Sequence, residues 1–445
     1  CTLVTSTAVD PLITPVQVSC TGFSDPDNAQ GELNYKVMSY SKDTASLGQK
    51  VVIYFGTLSS PSFYLAPWPG TSRTAVNMKV YIMDEDGSET LALDTDVPMS
   101  STVTGGNQIA FLQSQTTTTL PSIVSDNNPT ILLQYGIAIT HELNELSRQE
   151  SLLNQPNSHV DDRNVLRNRI TISVLFLPLE TIYQQQQMAH ILNMLTHYSG
   201  EYQTSACQTL VLNQIDILKA DLENSAFQGA DKKEFTSSLL LDAVNNNMEA
   251  VNAAIYSSVN ISNVTSLDMS TFTNYKPAIS TLTLPTSLSS DGHKQEVITR
   301  SFQFGNEIAI LNLKTLLPLE DPILINLDNI KVYGKRIYTD SIERNYSSDG
   351  CIAVLQAGML TSLYPTRQEV FQIMMVVQQN PFTWGNVGDV PLNTKVIAAG
   401  FTDTSGQEMS VSNIPTGERP KFYIMKNGGD PYNITDSLQT SPNYS

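Results

Sequence analysis

Residues 1–100 are built from short apolar and β-branched runs, each closed by Asp, Asn, Pro or Gly, and that rhythm restricts them to an antiparallel β fold. Cys20 is followed by Gly22-Phe23-Ser24-Asp25-Pro26-Asp27 and then by the run Leu33-Asn34-Tyr35-Lys36-Val37. A later run, Val80-Tyr81-Ile82-Met83, leads into Asp84-Glu85-Asp86-Gly87-Ser88-Glu89-Thr90. There Asp86-Gly87 supplies a hairpin turn, because glycine accepts a positive φ that other residues resist. The segment reads as an extracellular β-sandwich. Cys1 and Cys20 flank its first strands, and we expect them to be bridged in an oxidising compartment. For Cys207 and Cys351, which fall in segments of different character, a bridge and two buried free thiols both stay open.

The balance of charge narrows the partners. With 25 basic against 43 acidic residues the chain carries −18, a field that disfavours phosphate backbones and anionic lipid, so no nucleic-acid partner is expected. Charged residues make up only 15%, so solubility rests on Ser, Thr, Asn and Gln, as suits a cell-surface ectodomain. N-glycosylation acceptors occur at Asn260, Asn263, Asn345, Asn433 and Asn443, in polar stretches that can accommodate a glycan. The longest apolar run, Ile170 to Leu179, is interrupted by Pro178 and falls short of the ~20 residues a bilayer span requires. The chain opens on Cys1 rather than on a basic and apolar leader, so it reads as excised, with any membrane attachment outside it.

The pattern then changes twice. Residues 106–130, with Gly105-Gly106 at their start and Thr116-Thr117-Thr118-Thr119 within, read as a polar, weakly structured linker. Beyond it apolar residues recur at helical spacing: Leu132, Tyr135, Ile139, Leu143 and Leu146; Val165, Leu166, Ile170 and Leu177; Ile182, Met188, Ile191, Leu192 and Leu195; Cys207, Leu210, Val211, Ile215 and Leu218; Phe235, Leu240, Val244, Met248, Val251 and Ile255. Five short helices joined by polar turns form a compact array rather than a coiled coil, since no stripe outlasts about three turns. From Asn260 strands return, expected over Glu296–Phe304, Glu307–Leu313, Pro322–Leu327, Ile352–Leu355, Val370–Gln378, Thr394–Phe401 and Lys421–Met425.

The spacing of Cys1 and Cys20, the Gly-Phe-x-Asp turn, the Tyr35-x-Val37 strand and the Val80-to-Gly87 strand and turn together resemble the last fibronectin-like repeat of the receptor-for-egg-jelly (REJ) module of polycystin-1-like proteins. The order β, then helical, then β is similar to the end of that module followed by a GAIN domain, and Ser301-Phe302-Gln303-Phe304-Gly305 and Pro322-to-Leu327 look like strands of its sandwich. The resemblance implies a multidomain chain: a fibronectin-like sandwich over 1–105, a linker over 106–130, a helical GAIN subdomain over 131–260 and a GAIN β-sandwich over 261–445, incomplete at its C-terminus. It also implies an adhesive and mechanical ectodomain at the plasma or ciliary membrane. The membrane portion would associate with a polycystin-2-like cation channel subunit, and the extracellular ligand is unspecified. The alternative is the ectodomain of an adhesion G-protein-coupled receptor, which shares the GAIN architecture.

No enzyme, cofactor or metal site is expected. GAIN self-cleavage needs a His-aliphatic-Thr/Ser turn in a Cys-Trp context, and His197-Tyr198-Ser199 lacks that context, so the resemblance places the cleavage segment beyond this chain. His141-Glu142 begins like a zinc-protease helix, but Glu145 stands where the second imidazole belongs, and the pair reads as solvated. His190 and His197 share a helical face without a third ligand. Asp84, Glu85, Asp86 and Glu89 span about half of an EF-hand loop and read as a solvated hairpin tip. Trp68, in Ala66-Pro67-Trp68-Pro69-Gly70, reads as core.

Overall fold

A computed structural model of the chain describes all residues except 6, 25–30, 42–48, 72, 102, 104–106, 127, 153–158, 176, 178, 203–204, 225–229, 253–289, 328–329, 343–344, 349–350, 357, 378–395, 411–420, 426–430 and 434–445. It divides into two compact units, one of residues 1–225 with 249–289 and one of residues 226–248 with 290–445.

The first unit begins with seven strands: β1 (Thr2–Leu3), β2 (Val16–Ser19), β3 (Asn34–Tyr40), β4 (Lys50–Gly56), β5 (Ser62–Phe63), β6 (Ala75–Met83) and β7 (Glu89–Pro98). They form a sheet of order β1-β2-β5 and another of order β4-β3-β6-β7, with every pairing antiparallel. Along β6, Val76, Met78, Val80 and Ile82 are buried while the residues between them are half-buried, the period of two that a pleated strand imposes. The β6–β7 turn places Gly87 at φ +86, a conformation open to glycine at no steric cost. Cys1 and Cys20 form a disulfide.

Helices follow directly: α1 (Gln108–Ser114), a π-helical turn (Gln115–Thr119) and α2 (Leu120–Ser125). Residues 108–125 are therefore helical, and the expectation of weakly structured sequence there is corrected. The threonine run supports this conformation by turning hydroxyls onto its own backbone, with Thr117 and Thr118 donating to the Gln113 and Ser114 carbonyls. The longer helices are α3 (Pro129–Leu152), α4 (Val160–Val174), α5 (Ile182–Thr196) and α6 (Ser205–Asn224), and α7 (Ala230–Asn252) begins in the second unit. Thr181 and Gln184 cap α5 reciprocally.

Helices α3 and α5 approach closely at Gly136, where an added Cβ would lie 2.9 Å from the Ile191 Cδ1 methyl and 3.4 Å from Val174. Gly136→Val should therefore destabilise the first unit by about 2 kcal/mol through overpacking, read as a lowered urea midpoint at unchanged slope.

The second unit contains α8 (Ser290–Leu313), α9 (Met359–Leu363) and two four-stranded antiparallel sheets. One sheet has the order β13-β12-β9-β8, from β8 (Ile323–Asn326), β9 (Ile330–Tyr338), β12 (Glu369–Val377) and β13 (Val396–Asp403). The other has the order β10-β11-β14-β15, from β10 (Asn345–Ser348), β11 (Cys351–Val354), β14 (Lys421–Met425) and β15 (Pro431–Asn433). The two strands expected over Glu296–Phe304 and Glu307–Leu313, including Ser301-to-Gly305, are instead the single helix α8. Its buried residues Val297, Ser301, Phe304, Ile308 and Leu311 recur at intervals of three and four, which only a helix turns to one side. Helix α8 lies against β9 and β12, and Val370, Met374 and Val376 of β12 join Tyr333, Leu355, Leu360 and Phe401 in one apolar cluster. Eight of the nine residues of β12 are buried, because both faces of that strand are covered.

Candidate functional site

The densest chemistry in the described residues lies within the first unit, where α3 and α5 meet β4 and the segment between β5 and β6. It begins with a defect in the sheet. The β3–β4 register slips so that Val37 faces Tyr54 and Met38 faces Val52, leaving Ile53 bulged out of the ladder. The Ile53 carbonyl accepts instead from the Gln187 side chain of α5 at 2.7 Å, so α5 satisfies an edge-strand group the sheet leaves open. One turn earlier on α5, the Tyr183 ring lies 4.2 Å from Phe55, and its hydroxyl donates to Glu89 at 3.4 Å. Glu89 also pairs with the buried Lys36, whose ammonium faces the Tyr81 and Tyr183 rings.

Trp68 is the next element. Its Nε1–H donates to Ser39 Oγ at 2.9 Å, and its ring lies 4.8 Å from His141 on α3 and 5.4 Å from His190 on α5. The two imidazoles meet Nε2 to Nε2 at 2.9 Å, so one nitrogen donates and the other accepts, which fixes complementary tautomers. Burial pushes the His141 imidazole down to about 4, against the opposing effect of the Ala66 backbone. Burial, then the neighbouring His141, holds His190 well below its ordinary value. Trp68→Phe keeps the ring packing and strands the Ser39 hydroxyl; a loss of about 1.5 kcal/mol in urea unfolding is expected.

Residues just beyond Trp68 grip α3. The Gly70 amide donates to Glu145 Oε2 at 2.8 Å, and Arg73 donates to both Glu142 oxygens at 2.6 Å. Burial raises the Glu142 carboxyl, with Arg73 opposing. For Glu145 burial also acts upward, but bonds from Arg148, Gly70 and Gln149 outweigh it and the carboxyl sits below its ordinary range.

Behind this contact is a buried ionic cluster. Arg167 on α4 is fully enclosed and donates to Glu201 Oε2, Ser147 Oγ, Asn144 Oδ1 and the Met194 and Leu195 carbonyls. Arg163, one turn away, donates from Nε to Glu201 Oε1 at 2.6 Å and pairs with Glu150. Glu201 follows α5 in a 3-10 turn, Ser147 and Glu150 lie on α3, and so one cluster ties three helices. Burial acts to raise the Glu201 carboxyl; Arg167, Arg163 and the Ser147 hydroxyl prevail and hold it below its ordinary range.

Several sequence expectations are corrected here. His141 and Glu142 are not solvated: they are 1% and 7% exposed, because α3 is enclosed between the sheet segment and its neighbouring helices. His190 faces His141 and not His197, which caps the C-terminus of α5 and is exposed. Of the acidic cluster, Asp84, Glu85 and Asp86 occupy the hairpin tip, while Glu89 starts β7 and is ion-paired. Trp68 is core, 3% exposed. Cys207 is a free, buried thiol pushed up to about 12 by burial, unsuited to nucleophilic work. Cys351 lies on β11. Asn345 and Asn433 lie on β10 and β15, the two edge strands of their sheet, whereas Asn260, Asn263 and Asn443 fall outside the described residues. The sequence reading missed Arg163, Arg167 and Glu201; the available signal was two arginines, four apart, on the apolar side of α4 with Leu166 and Ile170.

Among the described residues no three His, Cys, Asp or Glu side chains converge on a metal position, and no helix is long and apolar enough to cross a membrane. The cluster acts as a clamp that joins sheet to helices through largely buried bonds, with Arg73 Nη1 and His141 Nδ1 left as buried atoms without a hydrogen-bond partner among the described residues.

Residues 1–138 match the family model of the REJ domain. That stretch is REJ-like. The match runs past the strands through α1 and α2 into α3, so it includes Gly136 and stops just short of His141. Human polycystin-1 is 21% identical over 438 residues, which is 97% of this chain and 9% of that relative. The chain thus spans about a tenth of that relative's length. The chain combines a sheet-rich REJ region, a helical middle and C-terminal sheets, and it is similar to polycystin-1 along nearly its whole length.

Proposed function

We propose that this chain is a non-enzymatic stretch of the extracellular region of a polycystin-1-like membrane protein, with an adhesive and mechanical role. The helices after the REJ region and the C-terminal sheets act as the helical and β subdomains of a GAIN domain. Membrane attachment lies outside the chain, and a polycystin-2-like cation channel subunit associates through those other parts, at the plasma or ciliary membrane. The reading is supported above all by similarity to polycystin-1 along 97% of the chain. The enclosed clamp suits it: buried charge-assisted bonds resist displacement better than exposed pairs do, and a load-bearing ectodomain needs contacts that do not exchange with water.

The test is topological. Antibodies raised against the REJ region should label unpermeabilised cells that express the native protein. The chain secreted behind a leader should lose mass on treatment with an N-glycosidase, reporting use of acceptors such as Asn345 and Asn433. Labelling only after permeabilisation, with no glycan, would defeat the proposal.

A further inference from the structure

The second unit presents an open sheet edge inside a groove. Strand β8 ends its sheet, and the Leu327 amide donates to the Ile330 carbonyl at 2.9 Å where β8 turns into β9. That bond makes Leu327 and Ile330 a hydrogen-bonded pair, and antiparallel pairs alternate. Ile325 and Ile323 therefore bond to Val332 and Gly334, while the amides and carbonyls of Leu324 and Asn326 point away from β9. Among the described residues nothing takes up those groups. Beside them lies a groove of about 570 Å³ lined by β8, by Glu234 and Ser238 of α7, and by Asn312, Thr315 and Leu316 at the close of α8. Leu324, which lines the groove, is 63% exposed.

We propose that this edge binds an extended, basic peptide segment of another protein, which adds a strand to β8. Backbone groups of Leu324 and Asn326 supply the ladder, and alternate apolar side chains of the ligand cover Leu324. The sign of the ligand follows from charge: the charged side chains lining the groove, Glu234 and Asp321, are both acidic. The same fact disfavours a second copy of this chain, because edge-to-edge pairing would bring two such walls and two net charges of −18 together. The proposal does not depend on the membrane-protein reading above.

The probe is a fluorescein-labelled peptide, Lys-Val-Thr-Val-Lys-Val-Thr, titrated with the full chain and followed by anisotropy, beside a control with Glu in place of Lys. The basic peptide should bind and the acidic one should not. Leu324→Pro removes an amide that faces the groove and no ladder bond, so the fold tolerates it, and binding should weaken at least about tenfold. Glu234→Lys should weaken the basic peptide and admit the acidic one. Ser238→Trp fills the groove and decides the matter if Leu324→Pro melts early by circular dichroism. Absence of binding, equal binding of both peptides, binding untouched by Ser238→Trp, or concentration-dependent dimers that Leu324→Pro abolishes would each overturn the proposal.

Discussion

Arg167→Ala melts the first unit on the order of 10 °C below the parent chain, an expectation that combines about 3–5 kcal/mol for breaking a buried ion cluster with the thermal response of a domain this size. The magnitude follows from what the substitution strands. Glu201 loses two of its guanidinium bonds while staying enclosed, and the Met194 and Leu195 carbonyls and the Asn144 amide oxygen lose a shared donor. Arg163 alone cannot neutralise Glu201, because it also serves Glu150. Arg167→Lys should recover less than half of the loss, since a single ammonium cannot span the positions that the planar fork reaches. Calorimetry checks both variants, and a fall of less than about 3 °C for Arg167→Ala would show that water replaces the guanidinium.

Acidification from pH 7 to pH 5 should destabilise the first unit by about 2 kcal/mol for each of His141 and His190. Both folded values lie below the ordinary 6.5, His141 at about 4 and His190 well below 6.5. The unfolded chain therefore takes up protons below pH 6.5 that the folded chain refuses. Stability is complete above that value and drains as pH falls toward about 4. Trp68 and Ser39 face the pair from the sheet side and do not titrate in this range. Glu142, next along α3, opposes the loss, because its raised carboxyl stabilises the folded state as pH falls. Glu145 and Glu201 are lowered and add their own loss, but only through the carboxylate range, beneath the histidine window. His293 in the second unit shifts downward too, so the transition of the first unit must be followed separately. His190→Gln keeps a donor for His141 and removes one titrating ring; it should remove about half of the loss between pH 7 and pH 5. A melting temperature equal at both values, or a full loss in the variant, would contradict the assignment.

Much of the architecture was legible because local and tertiary forces agree. The stripes through Leu132 to Leu146 and Ile182 to Leu195 are helices α3 and α5, and the runs Val370–Gln378 and Lys421–Met425 coincide with β12 and β14. Local pattern failed where two periods compete. Ser301-Phe302-Gln303-Phe304 alternates over four residues, yet the longer spacing of Val297, Phe304, Ile308 and Leu311 prevails because α8 has a sheet to cover. The composition of the threonine run points to a linker because composition does not register that its hydroxyls can bond back to the helix.

The sequence by itself determined the succession of strands, helices and strands, the acidic charge and the turn at Gly87. These depend on residues close together along the chain or on totals over it. The tertiary structure alone decided that His141 meets His190 under Trp68, that Arg163 and Arg167 share Glu201, and that Leu324 and Asn326 open onto a groove. His141 and His190, the two arginines and Glu201, and Leu324 and the α7 residues that line its groove stand tens of positions apart, and a charged or imidazole side chain on a helix carries no local mark of burial. Only the packing of other elements removes water from it, and that removal is what sets its partner and its protonation.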